Sequence, residues 1–209
     1  MSRLEVLLEG QSDAPAVREI LVRRFGLVEN EHFRLHPHRG KGTLPTNPLA
    51  RPEPQRRGLL DQLPAKLRGW SYLGNETCVV VVLDADKDPC DELLTRLKLM
   101  LDQLPKRPPR VLFRIAIEET ESGFIADSAA VHAAYPKARI AKLQRIAPDA
   151  IVGASEKLAA ALGIPVTQVT GASKHQWAQR IAPHLDLDDP PSPSLRKLLS
   201  GLSRELESL

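Results

Sequence analysis

The sequence predicts an α/β fold, a mostly parallel sheet flanked by helices. Three observations carry that expectation. A strand, a tight turn and an amphipathic helix follow one another between Arg3 and Gly26. Thr77–Leu83 is an apolar run without polar alternation, the mark of a strand covered on both faces. A helix over 90–103 and a further strand, Val111–Ile117, then repeat the unit. At 209 residues, 42% apolar and 26% charged, the chain has room for one sizeable domain and enough apolar mass to exclude wholesale disorder.

Taken in order, Arg3–Leu8 reads as the first strand and ends at Glu9-Gly10. Asp13 stands where a helix cap is expected, and Ala16, Val17, Ile20 and Leu21 recur at helical spacing. His32–His36 is the second strand candidate. Pro37–Pro54 is a long Pro, Gly, Arg and Lys loop, a length that in a compact domain points to function or disorder. Helical periodicity returns over Gln55–Leu67, through Leu59, Leu60, Leu63 and Leu67. After the two strands named above the pattern turns helical: Ile125–Ala134, Ser155–Leu162, Lys174–His184 and Ser194–Leu206, with Val166–Val169 a short strand candidate. Asp186–Pro193 reads as a linker, dividing a domain over 1–185 from a helical C-terminal extension over 186–209.

Composition removes several functions. Cys78 and Cys90 cannot build a disulfide framework or a zinc site. Aromatics at 4% argue against a platform of stacked bases. No apolar run is long enough to cross a bilayer, and Glu5 and Glu9 interrupt any signal-peptide pattern, so a cytoplasmic protein with no membrane partner is expected. The net charge of +3 is too weak to announce nucleic acid. Its distribution says more. Arg34, Arg39, Lys41, Arg51, Arg56, Arg57, Lys66 and Arg68 face only Glu53 and Asp61 between Arg34 and Trp70, a stretch that reads as a solvated face or a phosphate-binding one.

Carboxylates end three strand candidates: Glu9; Asp84, Asp86 and Asp88; and Glu118, Glu119 and Glu121. In a parallel sheet those ends share one edge, where ligands bind. Like charges gathered there repel, and a hard divalent cation held by oxygen, Mg²⁺ or Mn²⁺, removes that repulsion. Asp88 and Asp91 read better as acids of the next helix start, whereas Asp84 and Asp86 read as site residues. Which of Glu118, Glu119 and Glu121 faces the site is left open. Lys41 between Gly40 and Gly42 can approach a phosphate closely, helped by His38 or Arg39, and Lys174 is a second cation for that role.

Leu7-Leu8-Glu9-Gly10-Gln11-Ser12-Asp13 followed by Val82-Leu83-Asp84-Ala85-Asp86 resembles the Toprim domain of topoisomerases, primases and overcoming-lysogenization-defect nucleases. With His38–Gly42, Gly58–Pro64, Glu121–Asp127, Gly171–Lys174 and Trp177-Ala178, nearly the whole chain resembles the Toprim-like domain-of-unknown-function family 4276. The resemblance implies a Rossmannoid fold and a metal-dependent nuclease. It assigns Glu9 as general acid/base or ligand, Asp84 and Asp86 as Mg²⁺ ligands, and Glu121 or Glu118 as the completion of a second metal position. Lys41 and Lys174 would assist catalysis, and His38, Arg39, Lys41, Arg56 and Arg57 would hold nucleic acid, DNA foremost. An ABC- or AAA-type ATPase partner and a role in anti-phage or foreign-DNA defence are implied by the family's usual genomic neighbourhood. Because no G-x-x-x-x-G-K-[ST] pattern occurs, ATP hydrolysis would belong to that other chain. Two other readings stand beside it: a non-catalytic subunit binding metal, nucleic acid or ATPase, and a phosphoacceptor domain using Asp84. Oligomeric state, a homo-oligomer included, is left open.

Overall fold

A strand with the composition of Thr77–Leu83 has no face it can show to water. In the computed structural model, which describes residues 3–85, 88–116, 120–144, 146–147 and 153–208, it is the inner strand β3 (Thr77–Asp84). It lies between β1 (Arg3–Leu8) and β4 (Val111–Ala116), and β2 (Phe33–Pro37) pairs on the far side of β1. The order is β2-β1-β3-β4 and every pairing is parallel.

Alternate residues of the inner strands feed two cores, as the period of two demands. Leu4, Val6, Leu8, Cys78 and Val80 pack under α1 (Ala14–Phe25), α4 (Thr120–Ala126), α5 (Ser128–Ala134), α6 (Ala154–Leu162), α7 (Gly171–Ile181) and α8 (Pro193–Glu207). Leu7, Val79, Val81 and Leu83 pack on the opposite face, under α2 (Leu59–Gly69) and α3 (Cys90–Asp102). The first core is anchored by Trp177, 1% exposed, and includes Leu199 and Leu202 of α8. Arg110, just ahead of β4, binds Glu205 of that helix at 2.7 Å. The structure is therefore an α/β protein with a parallel sheet flanked by helices, as expected. No helix among the described residues is long and apolar enough to cross a membrane.

Local departures from the expected elements have physical causes. The α2 helix starts at Leu59 rather than Gln55, because the Asp61 carboxylate takes the amide of Gly58 (3.1 Å) and fixes the helix entry there. The Ile125–Ala134 helix is broken at Asp127, whose carboxylate accepts from the amides of Ala130 (2.9 Å) and Asp186 (2.8 Å). Val166–Gln168 is a 3₁₀ turn entered through Pro165, not a strand. The α7 helix begins earlier than expected, at Gly171, where Thr170 and Ser173 cap each other's amides. Asp13 does precede α1, yet its carboxylate caps none of that helix's amides.

Candidate functional site

With the order β2-β1-β3-β4, the chain leaves β1 toward one edge of the sheet and leaves β3 toward the other. The two exits diverge and open a crevice at the carboxyl ends of β1 and β3, the switch point at which open α/β sheets bind ligands. Glu9 and Asp84 are the first residue after β1 and the last of β3. Glu9 Oε2 accepts from the backbone amide of Asp84 at 3.3 Å, so residues 75 positions apart meet across the crevice. Asp86, Glu118 and Glu119 lie outside the described residues.

Lys41 reaches this edge from the β2 side. Its Nζ donates to the Ala85 carbonyl at 2.7 Å and pairs with Asp88 Oδ2 at 2.9 Å, and its side chain is only 13% exposed. The sequence explains how a loop lysine can be held so firmly. Gly42 has φ of 67°, open to glycine at no steric cost, and a Cβ there would overlap the Asp61 carboxylate. A Cβ on Gly58 would in turn overlap the Gly42 backbone. Gly40 and Lys41 then give their carbonyls to the amides of Leu59 (2.8 Å) and Leu60 (2.7 Å), while the Gly40 amide donates to the Glu9 carbonyl at 2.9 Å. Asp61 closes the arrangement by accepting from Thr43 N at 3.2 Å. Backbone contact between two glycines thus docks the loop on α2 and aims Lys41 at β3.

A second polar cluster meets the same turn from the opposite face. Asp13 Oδ2 accepts from the Gly10 amide (2.9 Å) and Oδ1 from the Thr120 hydroxyl (3.0 Å). Burial pushes the Asp13 carboxyl above its ordinary range, against the smaller opposing pulls of Thr120, Gly10 and Lys174. Glu121, 4% exposed at the start of α4, pairs with Lys174 at 3.7 Å. Beside it on α7, His175 Nδ1 lies 2.9 Å from the Gln11 carbonyl. Glu121 and Lys174 therefore share a cluster that touches the Glu9-Gly10 turn through Asp13.

The basic stretch divides. Arg39, Arg56 and Arg57 are exposed, Arg56 pairing with Glu53 (3.2 Å) and Arg57 Nε donating to the Pro54 carbonyl (3.2 Å). His38 is turned inward: its Nδ1 lies 2.9 Å from the Leu8 carbonyl, and burial holds its pKa below the ordinary histidine value. Asp88 corrects its expected role. The residue ahead of α3 is Pro89, and Asp88 binds Lys41 and Arg96 (2.8 Å), both of which hold its carboxyl below the ordinary range. Asp13, Asp61 and Asp88 were not legible as site residues. The one usable signal was the spacing of Asp61 three positions after Gly58, the reach of a side chain back to a helix entry.

The donor chemistry at the crevice is oxygen, which suits a hard cation better than zinc. Among the described residues, no group of three or more His, Cys, Asp or Glu side chains is placed to hold a metal ion. Comparison of the chain with protein-family models, with curated proteins and with solved structures returned no match.

Proposed function

We propose that the protein is a metal-dependent nuclease of Toprim type that cleaves phosphodiester bonds in nucleic acid, DNA foremost. The observation that carries this reading is the Glu9 carboxylate on the Asp84 amide at the β1/β3 switch point, with Lys41 anchored beside it. Glu9 and Asp84 would hold Mg²⁺ or Mn²⁺, joined by Asp86 and by Glu118 or Glu121. Such an ion supplies charge neutralisation at the phosphate and a more acidic bound water. What the chain itself contributes is positioning. Lys41 presents a cation at the crevice mouth, and the exposed Arg39, Arg56 and Arg57 extend the positive surface along which a phosphate backbone can track. An ATPase partner in foreign-DNA defence belongs to the same proposal and rests on the resemblance alone.

The test is plasmid nicking by the purified full chain with Mg²⁺ or Mn²⁺, alone and with a candidate ATPase chain. Glu9→Gln and Asp84→Asn should reduce nicking to background while leaving the unfolding midpoint close to that of the parent. Metal and DNA binding without cleavage in either format overturns the nuclease and leaves a binding subunit. Stoichiometric labelling of Asp84 by a small phosphodonor would instead make the chain a phosphoacceptor.

A further inference from the structure

Between α3 and α8, over the carboxyl half of β4, lies a cleft of about 290 Å³ that the nuclease reading does not use. Its polar lining is dominated by three cations, Arg114, Lys197 and Arg204, with Ser200 beside them and Asp91 as the opposing carboxylate. Lys197, Ser200 and Arg204 are spaced three and four apart on α8, so they form one stripe facing the cleft. Gly201 in that stripe leaves the space for Arg114: a Cβ there would overlap the guanidinium. Arg114 rises from β4, a half-buried strand cation that donates Nη1 to its neighbour's carbonyl, Phe113, at 2.8 Å. Its buried Nε has no acceptor among the described residues. Neither Lys197 nor Arg204 forms an ion pair with a described residue. The first turn of α3, with Cys90 and Asp91 in the lining, has no side-chain cap among the described residues and turns the positive end of its dipole to the same space.

Burial and the Arg204 charge disfavour the Arg114 cation and the Glu205 carboxylate only partly offsets them, so an anion in the cleft would be favoured. We infer that the α3–α8 cleft is a phosphate-binding site, in which Arg114, Lys197 and Arg204 hold the oxygens of one phosphate group. The Arg114 guanidinium packs on Gly201 and lines the cleft, and its planar donor fork suits the tetrahedral array of phosphate oxygens. The phosphate can come from a nucleic-acid backbone or from a small phosphorylated molecule. The site is independent of the carboxylate crevice and stands if the nuclease reading fails.

Cys90 lines the cleft and gives a local reporter, since the other thiol, Cys78, is buried and pushed up to about 12. The rate of Cys90 modification by a disulfide reagent is measured on the full chain in EDTA, against inorganic phosphate, a short DNA duplex and chloride at matched ionic strength. Phosphate should slow modification at least ~10-fold more than chloride does, and Lys197→Gln/Arg204→Gln should abolish that protection. These two positions are exposed, so the variant keeps its fold, and Asp84→Asn should retain protection in full. Protection by phosphate but not duplex assigns the site to a small phosphorylated ligand; protection by both assigns it to the backbone. Chloride-like behaviour of phosphate and duplex, or equal protection in the Gln variant, overturns the site.

Discussion

Two lysines approach the carboxyl edge of the sheet from opposite faces, and they are held in different ways. Lys41 comes from the α2 side on a loop, yet a carbonyl at 2.7 Å and a carboxylate at 2.9 Å pin its ammonium. Lys174 comes from the first turn of α7, twice as exposed, and meets Glu121 at 3.7 Å, beyond hydrogen-bond length. The irregular element is the precise one here. A helix fixes its backbone but leaves four rotatable bonds to a lysine, whereas the loop spends its glycines on docking Lys41 where both acceptors can reach it. Lys174 is thereby a counter-charge for Glu121 and Asp13, and under the proposed function Lys41 would stand on the substrate side.

The largest expected effect follows from that assignment. Lys41→Met should reduce nicking ~10²–10³-fold, the range for removing one donor that stabilises developing charge. It also removes the Lys41 donor from the Ala85 carbonyl and leaves Asp88 paired with Arg96. Lys41→Arg, which keeps charge but changes shape, should recover only part of the loss. Equal losses in Lys41→Met and Lys174→Met would erase the distinction between the two lysines.

Gly42→Ala tests how Lys41 is aimed without touching it. The substitution combines an unfavourable positive φ with overlap on Asp61, and should cost about 1–3 kcal/mol in urea unfolding. Nicking should fall with it, because a displaced loop carries Lys41 away from Ala85. Lys174→Met should come third, with about tenfold lower nicking. A variant that loses nicking but keeps Lys41 ordered would shift the catalytic weight to the α7 side.

The fold was legible where pattern alone decides, and the site only where sequence order mirrors topology. The valine run of β3 has one solution, a buried parallel strand, and the strand-turn-helix start admits little else. Glu9 and Asp84 could be paired in advance because both follow strands, and strand ends of a parallel sheet share an edge. The contacts that hold the loop were hidden for a different reason. Gly42 on Gly58 and Asp88 on Lys41 depend on how a loop folds back onto a helix, which no period in the sequence encodes. Element ends were displaced by single side chains acting at a distance, such as Asp127, which reaches both its own helix and Asp186. The cleft cations were spread over β4 and α8, and only the packing of Arg114 into the space at Gly201 brings them together.

The smallest effect tests the electrostatics of the Lys174 side. Burial raises the Asp13 pKa above its ordinary 3.8, so the folded chain holds that proton more tightly than the unfolded one. Stability from this group is then greatest below its unfolded value and declines as pH rises through the folded pKa, after which it is level. Asp13→Asn keeps a carbonyl acceptor and cannot titrate. The difference in unfolding free energy between parent and Asp13→Asn should therefore shrink or reverse with rising pH, from about pH 4 upward, in urea titrations. The opposite slope would mean that the Lys174 charge and the Gly10 and Thr120 hydrogen bonds outweigh burial. Lys174 would then act as the counter-charge of an ionised Asp13, the stronger form of its structural role.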